Sequence, residues 1–192
     1  MSEQSKIVFL KGRKVNLRPV SKSDLLQITR WINDPEVRFY LNAYLPQTEQ
    51  DEEAWLEGLS KKKSSDIVLL IETVEGLPIG LMGIHQINWR DRVATTGALI
   101  GEKECWGKGY GSEAKKLLLN YTFNVLNLRK ICSSVIFYNK RSLRYSLRCG
   151  YKEEGVLKQH IFRDGQYWDM IQLAIFRENF EPVWQKYQEG AE

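Results

Sequence analysis

The sequence has few cysteines and histidines. Its 192 residues include three cysteines, Cys105, Cys132 and Cys149, and two histidines, His85 and His160. The cysteines are odd in number, widely spaced and without a CxxC pair, so the sequence predicts neither a disulfide framework nor a zinc site. We therefore expect no metal cofactor and interpret the cysteines as small packing residues.

Long apolar segments and a charge excess of one sign are also missing. The longest aliphatic run, Ile67 to Ile71, is far shorter than the roughly 20 apolar residues of a membrane helix, and residues 1–11 lack a secretory apolar core. We expect a cytoplasmic protein with no membrane partner. The 28 basic residues are interleaved with 24 acidic ones, and the net charge is +4. This pattern argues against binding to nucleic acid. The basic cluster Lys61 to Lys63 is interpreted as a solvated helix end.

What is present fits one globular unit. The chain is 43% hydrophobic and 27% charged, and a chain of this length buries a substantial core without disulfide bonds or metal ions. We predict a single domain over residues 1–192, with a core at 11–181 and a C-terminal helix at 179–188. The apolar stripe on that helix is predicted to cap the monomer rather than face a second subunit; it comprises Phe180, Val183, Trp184 and Tyr187.

Hydrophobic periodicity predicts a mixed α/β fold. Two helices, begun by the capping signatures of Ser21 with Asp24 and Thr48 with Asp51, precede most of the strands. Period-two patterns predict strands at 14–20, 67–73, 79–87, 93–100, 131–138, 153–162 and 167–176. Helices are predicted at 112–126 and 140–148, so that 93–138 forms a βαβ unit.

The most informative stretch is the glycine-rich segment between the strand at 93–100 and the helix at 112–126. Gly107, Gly109 and Gly111 alternate there, and backbone N–H groups that open onto a helix N-terminus form a cradle for pyrophosphate. A tight turn is the structural alternative, for which one glycine usually suffices. The spacing disfavours a Walker loop, and Ser112 stands where a dinucleotide fingerprint needs its third glycine.

This segment resembles the signature [QR]-x-x-G-x-[GA] of the GNAT superfamily of acyl-CoA-dependent N-acetyltransferases, with Trp106 in place of the leading Gln or Arg. The resemblance covers about residues 11–181 and is strongest to the branch of ribosomal-protein N-terminal and spermidine acetyltransferases. Matching stretches lie at 31–37, 126–131, 150–155 and 163–167. It implies a mixed, mostly antiparallel twisted sheet of about seven strands, flanked by helices and splayed in the middle for the cofactor.

The resemblance also implies a site for acetyl-CoA. Pantetheine is expected to insert like an extra strand where the strand ending at Leu99 and Ile100 splays from the strand ending at Tyr138. The pyrophosphate is expected on Gly107, Lys108, Gly109, Tyr110, Gly111 and Ser112, and the pantetheine arm on Asn139. A backbone N–H near Ile100 is expected to polarise the thioester carbonyl. Arg141 and the lysines at 103, 108 and 140 are candidates for the adenosine phosphates, and a homodimer is consistent with the family.

Two departures from the family pattern bear on catalysis. The family's proton-donating Tyr corresponds to Ser146, and Tyr145 lies about 100° around the helix, where we interpret it as packing. Ser142 or Ser146 is the predicted proton donor to the thiolate. The strand at 93–100 has no carboxylate, so His85, His160 or water is the predicted general base.

The missing carboxylate favours an acceptor that deprotonates easily. A lysine-like amine costs roughly 4.6 kcal/mol to deprotonate at pH 7, and an α-amine only about 1 kcal/mol. We therefore predict direct acetyl transfer to a peptide or protein N-terminal α-amine, with a polyamine, an aminoglycoside or an amino sugar as alternatives. Glu36, Tyr40, Tyr44, Trp55, Trp89 and Trp168 offer surface suited to a cationic acceptor. A non-catalytic CoA-binding regulatory domain and a mononucleotide-binding signalling domain remain as other classes.

Overall fold

The computed structural model describes residues 7–61 and 65–190. Lys62 and Lys63 of the basic cluster lie outside these ranges, and Lys61 is exposed at the end of a helix. Eight strands are present: β1 (Leu10–Lys11), β2 (Val15–Pro19), β3 (Ile67–Thr73), β4 (Pro78–Asn88), β5 (Val93–Ile100), β6 (Lys130–Ile136), β7 (Lys152–Arg163) and β8 (Gln166–Phe176).

These strands form one sheet in the order β1-β2-β3-β4-β5-β6-β8-β7. The pair β5 and β6 is parallel and every other neighbouring pair is antiparallel, as the predicted mixed sheet requires. The short strand β1 is the one that the period-two pattern did not predict, because two residues are too few to show a period.

Six α-helices accompany the sheet: α1 (Leu25–Asn33), α2 (Pro35–Arg38), α3 (Glu49–Lys61), α4 (Tyr110–Asn124), α5 (Lys140–Arg148) and α6 (Arg177–Glu189). The Ser21 and Asp24 capping box is present as predicted. Asp34 follows the end of α1 and also caps α2. Its Oδ1 accepts hydrogen bonds from the N–H groups of Glu36 and Val37, and Pro35 lies in the first turn of α2.

The pairing of β5 with β6 is short. It consists of Val93 with Lys130, Ala94 with Ile131 and Thr95 with Cys132, and it ends there. Beyond this point β5 continues to Ile100 beside β4, and β6 continues to Ile136 beside β8. The facing edges of β5 and β6 are therefore left without each other as partners, which confirms the predicted splay.

Helices α4 and α6 pack together at one side of the sheet. The rings of Phe123 and Phe180 lie 5.5 Å apart, and Phe180 and Tyr187 are buried, so these two residues of the stripe on α6 pack within the chain. Glu113, in the first turn of α4, is buried and accepts the backbone N–H groups of Arg13, Lys14 and Val15 and the hydroxyl of Tyr187. One carboxylate thus ties both ends of the described chain to the start of α4.

Within the described ranges, no helix combines the length and apolar character that crossing a bilayer requires. The same ranges contain no group of three or more His, Cys, Asp or Glu residues placed to hold a metal ion.

Candidate active site

The glycine-rich segment forms an open loop that leads into α4. Gly107 and Gly109 adopt φ values of +78° and +89°, which L side chains rarely tolerate. Gly109 is the N-cap of α4 and has no side chain to accept the first-turn N–H groups. Those amides remain available at the positive end of the helix, so the loop fits a pyrophosphate group.

A cavity of about 390 Å³ opens beside this loop, and we call it the cofactor cavity. Nine of the ten predicted cofactor-binding residues line it, and Lys108 does not. The nine are Leu99, Ile100, Gly107, Gly109, Tyr110, Gly111, Ser112, Asn139 and Arg141. The cavity therefore lies along the β5 side of the splay, between the loop and α5, where the resemblance places coenzyme A.

Arginines of α5 supply positive charge to the cofactor cavity. Arg141 was predicted there, and its guanidinium lies 3.8 Å from the ring centre of Trp106. Arg144 and Arg148 also line the cavity but were not predicted. Arg144 follows Arg141 by three residues and Arg148 follows Arg144 by four, which places all three on one helix face, a signal that the sequence contained.

Two of the predicted lysines have other contacts. Lys103 pairs with Asp34 at 3.0 Å and with Glu36 at 3.2 Å, and the Lys140 ammonium lies 3.5 Å from the ring centre of Phe137. The structure thus brings Arg141, but not these lysines, into the cofactor cavity.

A second cavity of about 320 Å³ lies where β5 and β6 separate, lined by residues 96–99 of β5 and 133–136 of β6 among others, and we call it the acceptor cavity. It shares part of its lining with the cofactor cavity, and we call these shared residues the junction: Tyr40, Leu41, Ala98, Leu99, Asn139, Ser142 and Tyr145. Because the two cavities share these residues, a group held in one cavity can come close to a group held in the other.

His85 lines the acceptor cavity and is hydrogen-bonded to Asp66. His85 Nδ1 lies 3.2 Å from Asp66 Oδ1. Burial raises the pKa of Asp66, but hydrogen bonds from Ser65, the Gln86 N–H and His85 outweigh this and hold that pKa below its ordinary value. An ionised Asp66 accepts the Nδ1 proton and leaves Nε2 free as a proton acceptor.

The imidazole of His85 lies across two glycines. A Cβ at Gly83 would collide with the ring, and a Cβ at Gly97 would come within 3.4 Å of Nε2. Gly83 and Gly97 are paired across β4 and β5. The absence of side chains on this pair makes room for the ring in the cavity wall, and only the structure shows why both glycines are needed.

The structure separates the two candidate serines. Ser142 lies at the junction, and its backbone N–H donates to Asn139 Oδ1 at 3.0 Å. Ser146 is fully buried and lines neither cavity. Tyr145 packs against the core as predicted, but it also lies at the junction, so the interpretation of this residue as packing alone is incomplete. Burial holds the pKa of Tyr145 above its ordinary value, so its hydroxyl stays protonated.

The remaining candidates are dispersed. His160 is exposed on β7 and lines neither cavity, so the structure does not bring it together with the other predicted catalytic residues. Tyr40 and Trp55 line the acceptor cavity, whereas Tyr44 and Trp89 are exposed. Trp168 packs edge-on against Tyr138, with ring centres 5.0 Å apart.

A buried lysine lies behind the acceptor cavity and was not predicted. Lys115 of α4 is 0% exposed, and its Nζ donates to Thr96 Oγ1 at 2.8 Å. Thr96 Oγ1 also lies 2.8 Å from the hydroxyl of Tyr151. Burial lowers the pKa of Lys115 to about 8, although Cys149 opposes the shift. In the sequence, Lys115 is one of several polar residues on an amphipathic helix, and nothing in the pattern indicates that it is buried.

Comparison with known proteins agrees with this geometry. Residues 14–152 match the family model described as the acetyltransferase (GNAT) domain. The chain is 30% identical over 174 residues to spermidine N(1)-acetyltransferase of Escherichia coli K12, covering 88% of this chain and 89% of that protein. It is 29% identical over 170 residues to the spermidine N(1)-acetyltransferase of Vibrio cholerae, covering 87% and 95%.

A solved structure has the same fold. Spermidine N-acetyltransferase from Vibrio cholerae, in complex with CoA and spermine, superposes with a TM-score of 0.80 at 26% identity, covering 88% of this chain and 98% of that one. The family match, the open glycine loop and the splayed strands agree on one assignment. The chain belongs to the GNAT family and is an acyl-CoA-dependent N-acetyltransferase.

Proposed function

We propose that the protein transfers the acetyl group of acetyl-CoA to a primary amine of a small polyamine of the spermidine class. The observation that supports the reaction is the junction, because two cavities that share these residues could hold a coenzyme and an acceptor next to each other. The polyamine assignment is supported by the named activities of relatives that match along most of the chain. The comparisons thus favour the polyamine alternative over the predicted peptide α-amine.

The aromatic side chains of the acceptor cavity fit a cationic ligand. Tyr40 and Trp55 both line it, and an ammonium group is attracted to the face of such rings. The predicted acidic partner Glu36 is paired with Lys103 instead. Recognition of the acceptor would therefore depend on aromatic faces rather than on a carboxylate in the wall.

In the proposed mechanism His85 is the general base. Its Nε2 lies at the level of Gly97, and Leu99 of the junction is two residues further along β5, or about 7 Å at the rise of a strand. An amine at the junction would pass its proton to Nε2 through a chain of two water molecules. Asp66 would hold the ring in the tautomer that accepts this proton.

The other steps use the junction and the loop. The amine nitrogen attacks the thioester carbonyl carbon, and a backbone N–H near Ile100 stabilises the resulting oxyanion. The C–S bond then breaks, and the sulfur keeps the electron pair. Ser142, which lies at the junction, would relay a proton from solvent water to the thiolate, receiving one proton as it gives up another. The N–H groups from Gly107 to Ser112 and the arginines of α5 would hold the phosphates.

A peptide or protein N-terminal α-amine is the second candidate, and one observation favours it. Among the described residues that line the acceptor cavity, none is Asp or Glu. A polyamine with several ammonium groups gains from carboxylates in its site, whereas an α-amine brings one charge and loses its proton at lower cost.

An acceptor comparison tests the proposal. The wild-type protein and acetyl-CoA are mixed with spermidine, with a short peptide bearing a free N-terminus, or with the same peptide blocked at its N-terminus, and thiol release is followed. We expect the largest kcat/KM with spermidine and none with the blocked peptide. Turnover of the free peptide alone would establish the second candidate. Calorimetric binding of CoA without turnover of any amine would indicate a non-catalytic CoA-binding domain.

A further inference from the structure

Lys115 carries a charge that the fold does not neutralise. It is fully buried, and its one hydrogen-bond partner is the neutral hydroxyl of Thr96. In the described part of the chain no Asp or Glu forms an ion pair with it. A buried unpaired ammonium is costly, and a methionine or leucine would fill the same space without that cost. Its presence therefore calls for a negative charge that is absent from the resting protein.

The position of Lys115 shows where such a charge would form. Thr96 is the first residue of β5 beyond the last pair with β6, so the ammonium lies at the point where the two strands separate. Thr96 lines the acceptor cavity. On another side, the Nζ lies 5.6 Å from the ring centre of Tyr145, which belongs to the junction. One layer of side chains thus separates the ammonium from the place where both cavities meet.

We propose that Lys115 is a positioning residue whose ammonium stabilises the coenzyme A thiolate as it leaves at the junction. When the C–S bond breaks, the electron pair and a full negative charge go to sulfur, and the proton that neutralises it follows from Ser142. A fixed cation behind a low-dielectric wall favours this step without moving. The inference rests on the acetyl transfer proposed above and on coenzyme A bound in the cofactor cavity. It does not depend on which amine is the acceptor.

Among the described residues that face the Lys115 ammonium there is no carboxylate. Thr96 faces it from β5, Tyr145 from α5, and Cys149 and Tyr151 from the end of α5 and the segment that follows; of these, Cys149 favours the charged form of the lysine. Burial holds the pKa of both tyrosines above the ordinary value, so they stay neutral at working pH. The Cys149 thiol is fully buried and donates to the Ser112 carbonyl at 3.7 Å.

Titration of the thiol of bound coenzyme A tests the inference without any acceptor. Wild type, Lys115→Met and Lys115→Gln are each saturated with coenzyme A, and the thiolate is followed by its ultraviolet absorbance as the pH is raised. We expect both substitutions to raise the pKa of the bound thiol by about one unit, a tenfold loss of thiolate at a given pH. Lys115→Gln retains a donor for Thr96 and removes the charge, so it decides the outcome if the methionine variant does not fold.

Lys116→Met is the matched control. Lys116 is the next residue of α4, but it faces the ring of Tyr187 at 5.6 Å, on α6. Its loss removes the same formal charge from the same helix, and we expect the thiol pKa to stay as in wild type. An equal thiol pKa in wild type and Lys115→Gln would overturn the inference while leaving the acetyl transfer intact.

Turnover supplies a second readout. Because the wild-type ammonium loses its charge as pH rises, the ratio of kcat between wild type and Lys115→Gln should be largest near pH 7 and fall toward one above the pKa of about 8. At pH 7 we expect a ratio of roughly ten to a hundred. A ratio that is constant across pH would mean that Lys115 is merely structural. A wild type that binds coenzyme A and shows the thiol shift, but turns over no amine, would refute the proposed acceptor and leave the thiolate inference standing.

Discussion

Asp66 Oδ1 lies 3.2 Å from His85 Nδ1, so a carboxylate fixes the imidazole ring at one wall of the acceptor cavity. The opposite nitrogen is thereby presented to the cavity above Gly83 and Gly97. In the proposed mechanism this arrangement supplies the base that the strand leading into the glycine loop lacks, since that strand has no carboxylate.

Substitution of His85 is expected to remove general-base catalysis. We predict that His85→Ala lowers kcat/KM for the amine by roughly a hundredfold. Asp66→Asn should cause a smaller loss, because the ring remains but its tautomer is no longer fixed. His160→Ala, at the exposed position on β7, should have less effect than either. Steady-state kinetics measure all three, and an unchanged kcat/KM in His85→Ala would eliminate this base.

The two hydroxyl groups of α5 at the junction can be separated as proton donors. We predict that Ser142→Ala lowers kcat roughly a hundredfold with little change in the Kd for CoA, because it removes the donor to the thiolate. Tyr145→Phe retains the ring and should cost less, since burial keeps that hydroxyl from releasing its proton. Single-turnover kinetics with acetyl-CoA compare the variants. A larger loss in Tyr145→Phe would transfer the donor role to the tyrosine.

The glycine loop offers a matched test of cofactor binding. Gly107 has φ +78° and Gly165, in the turn between β7 and β8, has φ +77°, and a Cβ at either position meets no atom within 4 Å. Alanine at either should destabilise the fold by about 1 to 2 kcal/mol through the same backbone strain. We expect weaker calorimetric binding of CoA in Gly107→Ala alone. Equal CoA affinity in both variants would contradict a phosphate site at the loop.

Glu113 is expected to be the most stabilising polar residue of the core. Its carboxylate accepts four hydrogen bonds, and glutamine can accept them at one oxygen only. Glu113→Gln should lower the free energy of unfolding by about 3 kcal/mol, and Tyr187→Phe by about 1 kcal/mol. Urea denaturation measures both. Glu181→Gln, on the exposed face of α6, is the control and should change the unfolding free energy by less than about 0.5 kcal/mol.

A buried ion pair predicts how the fold responds to acid. Burial opposes ionisation of Asp24, but hydrogen bonds from Arg18 and Ser21 outweigh this and lower its pKa from 3.8 to about 2. The folded state therefore binds fewer protons than the unfolded state in this window, so the stabilisation is complete above about pH 4 and is lost as pH falls toward 2. The change amounts to about 2 kcal/mol.

The variant Asp24→Asn measures this contribution. Its free energy of unfolding should depend less on pH between 4 and 2 than that of wild type, by denaturant titration at each pH. Identical slopes in the two proteins would show that Asp24 does not titrate as described.

The sequence was enough to predict the frame of the site. Periodicity placed nearly every strand and helix, and the alternate glycines with the helix that follows predicted a loop that does line one end of the cofactor cavity. These features are local, and each is determined by residues close together in the chain.

The chemistry of the acceptor side was less predictable because it depends on distant residues. The contact of Asp66 with His85 requires the register of β3 and β4, and the burial of Lys115 requires the packing of α4 against α5 and the sheet. Glu113 binds the N–H groups of residues about 100 positions away. Charge and spacing alone gave no indication of these contacts.

The hydrogen bonds of Glu113 couple the outer helix mechanically to the mouth of the coenzyme site. A force applied to α6, as from a surface tether, reaches Tyr187 and then the first turn of α4, directly beside the loop proposed to hold the phosphates. Attaching the protein to a surface through α6 would therefore affect the binding of coenzyme A, whereas attaching it at the turn between β7 and β8 would not.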